Sequence, residues 1–442
     1  MLSRPVLFGY INYVTIIPMK PNDTERSTCR ISGEPLIPLF TLGTLHLSDF
    51  IDPEMEPRMT PVELKLMLAP ESGLVQLAHT ADFDEMYREY WYRSGTNITM
   101  RTELKEIAER ATKLIRPGMG DTWLDIGCND GTLLSNVDTN VIRVGFDPAL
   151  NTFLEEESKK HADTVVVDYF TAEKYKETGR AKAKVITSIA MFYDLEDPHA
   201  FVNDIDAVLD DEGLWIIQMS YLPLMLKQLA FDNICHEHLE YYSLESLTYL
   251  LDQHNFKVVD CELNDINGGS FRIYIRKKNA NPALFATSPY RDVADMRVEG
   301  IRALEEKMDL KNPQTYITFF EKIQELKKET MDFITAARAE GKTIWGYGAS
   351  TKGNTLLQWY GLDNTHIDGI AERSEIKFGK KTAGTNIPIL SEEEARNAKP
   401  DYMLVLPWHF INEFKTREGE YLKAGGAFIV PCPKFEIITG ED

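Results

Sequence analysis

"DTWLDIGCNDGTLLSNV", residues 121–137, is the stretch whose reading decides the fold. Trp123, Leu124 and Ile126 form a short apolar run, which Gly127, Asn129, Asp130 and Gly131 break before an apolar periodicity that predicts the start of a helix. A strand that ends in a glycine turn and feeds a helix suits nucleotide-type ligands, because glycine lets the backbone turn tightly and approach the ligand. Asp125 and Asn129 belong to the same turn. The next strand, "VIRVGFDPA", ends at Asp147, twenty residues after Gly127, where a carboxylate can accept hydrogen bonds from both ribose hydroxyls. "TVVVDYF" closes on Asp168, "KVITSIAMFYDL" runs into 188–194, and "GLWIIQMS" ends at Ser220. Strands alternating with helices predict an α/β fold with a parallel, Rossmann-like sheet and a ligand at the carboxyl ends of its strands. Nicotinamide dinucleotide binding is poorly matched, since G-x-G-x-x-G requires glycine where Asn129 stands.

The chain has 442 residues, more than one ordinary domain, so two or three units are expected. A net charge of −21 repels polyanions, and no basic block offsets it; "KFGKK" at 377–381 reads as a solvated loop. No nucleic-acid partner is expected. No apolar run is long enough to span a bilayer, and the first residues lack a cleavage pattern, so the expectation is a cytoplasmic protein with no membrane partner. Five scattered cysteines, an odd number, predict free thiols.

Just beyond the fifth strand lies "ICHEHLEYYS", residues 234–243. Zinc needs three or four ligands, H-E-x-x-H fails because residue 240 is Glu240, and no Cys-x-x-Cys pair exists. A polar turn and an acid/base set remain. A histidine near its ordinary pKa of about 6.5 can remove a proton at neutral pH, and a carboxylate can orient it. His236, Glu237 and His238 are therefore the candidate catalytic group. "SLESLTYLLDQHN" predicts a helix capped by Ser243, and "FKVVDCELND" and "GGSFRIYIRK" a closing antiparallel pair. Asn267 and Ser270 at that hairpin either donate to a developing oxyanion or merely form the turn.

Residues 281–340 read as a charged helical connector. "KTIWGYGASTKGNTLLQWYG" then repeats the strand, glycine turn and helix, and so predicts a second nucleotide-type crevice. Gly346, Gly348, Ala349, Ser350 and Thr351 place amides at a helix start, with Lys352 and Asn354 following; P-loop spacing is absent. Another strand ends at Glu372, and "DYMLVLPWHF" a third, at Trp408-His409.

Together "LDIGCNDG" with Asp147, "ICHEHLEYYSLESL", "NGGSFRIYI", "GYGASTKGNTLLQWYGL" and "DYMLVLPWHF" resemble the sugar-nucleotide C-methyltransferases, over nearly the whole chain from Cys29 onward. The resemblance implies a class I methyltransferase unit over 82–280 that uses S-adenosyl-L-methionine, and a Rossmann-like substrate unit over 341–442. His238 matches the family's base and Glu237 its assisting glutamate, whereas Cys235 stands where a tyrosine is usual. Tyr92 and Ser94, in the aromatic segment "DFDEMYREYWYRSGTNITM", are expected near the cofactor with Asp125, Gly127, Asn129, Gly131, Asp147 and Asp168. Asn267, Ser270, Gly348, Lys352, Asn354, Glu372 and His409 are expected toward the sugar nucleotide.

The family also carries an N-terminal zinc module with two Cys-x-x-Cys pairs. Here only Cys29 is kept; Ser32, Ala69 and Ser72 occupy the other three positions. One thiol cannot hold structural zinc, so residues 29–81 are expected to form a metal-free ribbon held by Leu36, Leu39 and Leu74, after an extension over 1–28. The implied reaction is methyl transfer to a ring carbon beside a ketone on a nucleoside-diphosphate sugar. O- or N-methylation, or a catalytically silent binding relative, are the alternatives. Whether the protein is a monomer or a homodimer is not legible in the sequence.

Overall fold

The computed structural model describes residues 25–58, 60–87, 91–149, 152–281 and 291–441, so most of the N-terminal extension lies outside the described residues. The middle of the chain forms a seven-stranded sheet in the order Phe256–Asn264, Ser270–Lys277, Leu209–Ser220, Ala183–Ile189, Thr122–Ile126, Ile142–Phe146, Thr164–Val166. Pairing is parallel from Leu209–Ser220 to Thr164–Val166, and the last two strands of the unit form the expected antiparallel pair at the other edge. Thr122–Ile126 lies between Ala183–Ile189 and Ile142–Phe146, so chain order reverses there and opens a crevice at its carboxyl end. All five of its residues are buried, as a central parallel strand requires.

The helix expected after Gly131 is corrected to a single 3-10 turn, Leu134–Asn136. Ser135 Oγ and Asn136 Nδ2 both donate to the Thr132 carbonyl, at 2.7 and 2.9 Å, so local side chains take the acceptor a longer helix would use.

The C-terminal unit is a six-stranded sheet, Ile389–Ser391, Ile370–Glu372, Ile344–Tyr347, Tyr402–Val405, Ala427–Val430 and Glu436–Ile438, parallel except for its last strand. Helices Arg291–Met308 and Pro313–Ala339 connect the two sheets. The second buries Tyr316, Phe319, Ile323, Leu326 and Ile334 along one face, at helical spacing, and Phe319 and Phe320 meet Phe40 of the N-terminal module. Among the described residues no helix is long and apolar enough to cross a membrane.

The N-terminal module is an antiparallel sheet, Ile37–Leu45, Val62–Leu68 and Val75–Leu77, completed by Glu240–Tyr241 from the segment that follows the histidines. Of the packing residues expected there, Leu74 is fully buried while Leu36 and Leu39 are half-buried. A carboxylate joins the two turns that carry Ser32 and Ser72. Glu34 accepts from Ser32 Oγ and the Ser72 amide, each at 2.8 Å, and from the Glu71 amide at 2.7 Å. Cys29 Sγ lies 3.5 Å from Ser72 Oγ. A thiol and two hydroxyls do not make a zinc donor set, and among the described residues no group of three or more His, Cys, Asp or Glu is placed to hold a metal ion.

Candidate active site

A cavity of about 510 Å³ opens between the carboxyl ends of the two large sheets, and residues from both line it. On the first side are Asp125, Gly127, Asn129, Asp147 and Asp168. Asn129 takes the left-handed conformation, φ 49°, which asparagine tolerates better than most residues. Its carboxamide then clamps the aromatic segment: Oδ1 accepts from the Ser94 amide and Nδ2 donates to the Tyr92 carbonyl, both at 3.0 Å. Tyr92 and Ser94 line the cavity as a result. Asp147 follows its strand directly and accepts from the Asn129 amide at 2.9 Å and the Ala149 amide at 3.0 Å. Burial raises its pKa against those two amides. Asp125 accepts from Thr187 Oγ1 at 2.6 Å, and burial pushes its carboxyl up to about 7. Asp168 pairs with Lys174 at 2.6 Å.

Gly131 does not face the cavity. At φ 75°, with a notional Cβ 2.9 Å from Ser158 Cα, it lets the turn pack against the following helix.

The opposite wall carries His238, Asn267, Lys352 and His409. His238 Nδ1 lies 2.8 Å from the Asn233 carbonyl, which can only accept, so Nδ1 holds the proton and Nε2 keeps its lone pair. The Tyr193 ring sits 4.2 Å away, centroid to centroid. Burial, and then the Lys352 charge, bring the His238 pKa down to about 3, so the ring is neutral. Lys352 Nζ donates to Asn233 Oδ1 at 2.5 Å and to the Asn267 carbonyl at 3.3 Å. Asn267 thus holds the lysine through its backbone. His409 is neutral for the same two reasons, with its pKa near 3.

The other expected residues build the wall without facing the cavity. His236 Nε2 bonds the Val62 carbonyl at 3.0 Å and so ties the histidine segment to the N-terminal sheet; burial brings its pKa down to about 4. Glu237 lines a small cleft on another side, with Ser48, Asp49 and Trp91, and burial raises its carboxyl. Ser270 Oγ donates to the Ile266 carbonyl, and Asn354 Nδ2 to the Asp49 carbonyl. Glu372 accepts from the amides of Ala349, Arg373 and Ser374, each at 2.8 Å, and so shapes the second glycine turn. In that turn Gly348, at φ 83°, passes so close to Pro407 that a Cβ would lie 2.8 Å from its ring.

Sequence reading missed Asn233, Tyr193 and Thr187. Each owes its place to a contact across the fold that no spacing rule encodes.

Residues 92–260 match a family model described as a methyltransferase domain, and residues 265–433 one described as a C-methyltransferase C-terminal domain. Over 419 residues the chain is 30% identical to C-methyltransferase NovU of Streptomyces niveus, covering 93% of this chain and 97% of that one. The chain belongs to the C-methyltransferase family. It is an S-adenosylmethionine-dependent methyltransferase. Among solved structures, N-methyltransferase NodS from Bradyrhizobium japonicum WM9 is 11% identical, with 41% of this chain and 98% of that chain covered and a TM-score of 0.31. Magnesium protoporphyrin IX methyltransferase ChlM from Synechocystis PCC 6803 is 12% identical, with 41% and 88% covered and a TM-score of 0.32.

Proposed function

We propose that the enzyme methylates a ring carbon beside a ketone on a nucleoside-diphosphate sugar, with His238 as the general base. One observation carries the reading: a neutral histidine with an unbonded Nε2 and a half-buried lysine share a single cavity with the glycine turn of the methyltransferase domain. The cavity fits S-adenosylmethionine. Asp147 stands at a strand end, where it can take ribose hydroxyls, and Phe146, Phe170 and Phe201, stacked edge to face, supply apolar wall. When bound, that cofactor supplies an electrophilic methyl carbon. Asp125, Gly127, Asn129, Asp147 and Asp168 would hold it, under Tyr92 and Ser94.

On the substrate side a ketone acidifies the neighbouring C–H, and His238 Nε2 takes the proton as the electron pair shifts toward the carbonyl oxygen. Lys352, at the start of helix Thr351–Tyr360 with Ser350 and Thr351 also on the cavity, offers a cation and helix-start amides to a diphosphate or to the developing oxyanion. The main contribution is positioning, since base and acceptor carbon must meet within contact distance. His236 and Glu237 are given no contact with substrate in this scheme. Five free, buried cysteines fit a reducing, cytoplasmic setting.

The test uses a panel of keto-sugar nucleotides in deuterated water. Without cofactor, His238 should exchange the α hydrogen for deuterium, and with cofactor one sugar should gain a CH₂. His238→Ala should abolish both. Exchange and turnover that survive this substitution would end the assignment of the base. Methyl transfer without exchange would move the reading to O- or N-methylation, and cofactor binding without any turnover would move it to a silent relative.

A further inference from the structure

The base and the cation are held by the same residue. Asn233 is 1% exposed, at the end of the 3-10 turn Phe231–Asn233. Its backbone carbonyl accepts from His238 Nδ1 at 2.8 Å. Its carboxamide oxygen accepts from Lys352 Nζ at 2.5 Å and from Ser220 Oγ at 3.2 Å, and its carboxamide nitrogen donates to the Ala230 carbonyl at 3.2 Å. His238 belongs to the methyltransferase unit and Lys352 to the C-terminal unit, so one buried side chain fixes a distance between two sheets. A lysine has four rotatable bonds, and this anchor, with the Asn267 carbonyl at 3.3 Å as a second, keeps its charge at one place.

We propose that Asn233 is a positioning residue that couples Lys352 to His238, so that an anion seated on Lys352 makes His238 a stronger base. The inference rests on the reading of His238 as the base. The Lys352 charge disfavours imidazolium at His238, and a diphosphate or enolate on Lys352 offsets that field when the base is needed. The other titratable groups close to this pair are Asp194, Asp232, Cys235, Glu237, Tyr241 and His409, with the Tyr193 ring packed against His238. Burial raises the three carboxyls and the thiol and keeps His409 neutral. Burial also lowers the Lys352 pKa, against the opposing pull of Asp232, Cys235, Glu237 and Asp194. Lys352 is the neighbouring charge that lowers the His238 pKa.

The experiment is a histidine-labelled NMR titration of the full chain without ligands, with the His238 signal identified by its loss in His238→Ala. Lys352→Met should raise the His238 midpoint by about one pH unit or more. Asn233→Leu keeps the backbone carbonyl and leaves the ammonium only its 3.3 Å contact with the Asn267 carbonyl, so it should raise the midpoint part of the way to that of Lys352→Met. The double variant should match Lys352→Met alone, because the two changes remove one interaction. If Asn233→Leu leaves the midpoint at the wild-type value, or if the two shifts simply add, the coupling is refuted. Asn233→Ala takes the place of the leucine variant if that chain does not fold. Because no turnover is measured, loss of this coupling and survival of activity in His238→Ala are separate outcomes, the first refuting Asn233's role and the second the base.

Discussion

Replacing Asn129 by glycine tests whether the aromatic segment is a cover for the cofactor. Glycine keeps the positive φ of 49° and the amide that serves Asp147, and it removes only the carboxamide that holds Tyr92 and Ser94. Two side-chain hydrogen bonds at 3.0 Å disappear. At about 1 kcal/mol net for each, the segment loses about 2 kcal/mol of closure, and the corresponding ceiling on lost affinity is about 30-fold. Isothermal titration with S-adenosylhomocysteine should show a Kd some 10- to 30-fold weaker than wild type, within that ceiling. Asn129→Ala should show the same loss of affinity together with a lower melting temperature, since alanine adds left-handed strain of about 1–2 kcal/mol. An Asn129→Gly Kd within twofold of wild type would refute the idea that Tyr92 and Ser94 close over the cofactor, and the clamp would then be a fold contact only.

Three further outcomes follow from the same structure. Glu34→Ala should speed amide exchange at residues 71 and 72 on the order of 30-fold, about 2 kcal/mol for a carboxylate with three donors, and added zinc should not restore protection; unchanged exchange would dismiss the carboxylate clasp. Burial raises the Glu34 pKa but the amides of Ser72 and Glu71 outweigh it, so the clasp is complete above the ordinary glutamate pKa and weakens as pH falls below it. His236, whose pKa falls from 6.5 to about 4 on burial, stabilises the fold fully above pH 6.5 and loses that contribution as pH drops toward 4. In denaturant titrations between pH 7 and 4.5, wild type should lose roughly 2–3 kcal/mol more than His236→Gln, which keeps a donor for Val62; equal losses would show that the ring is not buried neutral. Gly131→Ala should destabilise the methyltransferase unit by about 3 kcal/mol, from left-handed strain plus the 2.9 Å approach to Ser158, and a melting temperature equal to wild type would contradict that packing.

The parallel sheet was legible because its signals are local: apolar runs of strand length, glycine breaks, and acids at strand ends such as Asp147 and Asp168. Ser243 was legible as an N-cap for the same reason, and the structure completes it with a capping box. Reading failed where partners lie far apart in the chain. Asn233 sits five residues before His238 without any motif, and its carboxamide is given meaning by a lysine 119 positions later. The helix expected after Gly131 failed differently. Apolar periodicity favoured it, but Thr132, Ser135 and Asn136 satisfy one another locally, and a window of hydrophobicity does not register that competition. Glu237 shows the limit of motif spacing: its neighbour in sequence faces the cavity while it faces another cleft. The residues that face the cavity and those that merely support it, such as Glu372 and Asn354, have the same chemistry on paper.

Glu240 and Tyr241 have one further consequence. These two residues finish a sheet whose other strands come from before residue 78, and only Leu239 separates them from His238. Cutting the chain between residues 81 and 82 would therefore strip the histidine segment of its backing and leave an unpaired edge beside it. A small module can thus serve the larger one as a splint.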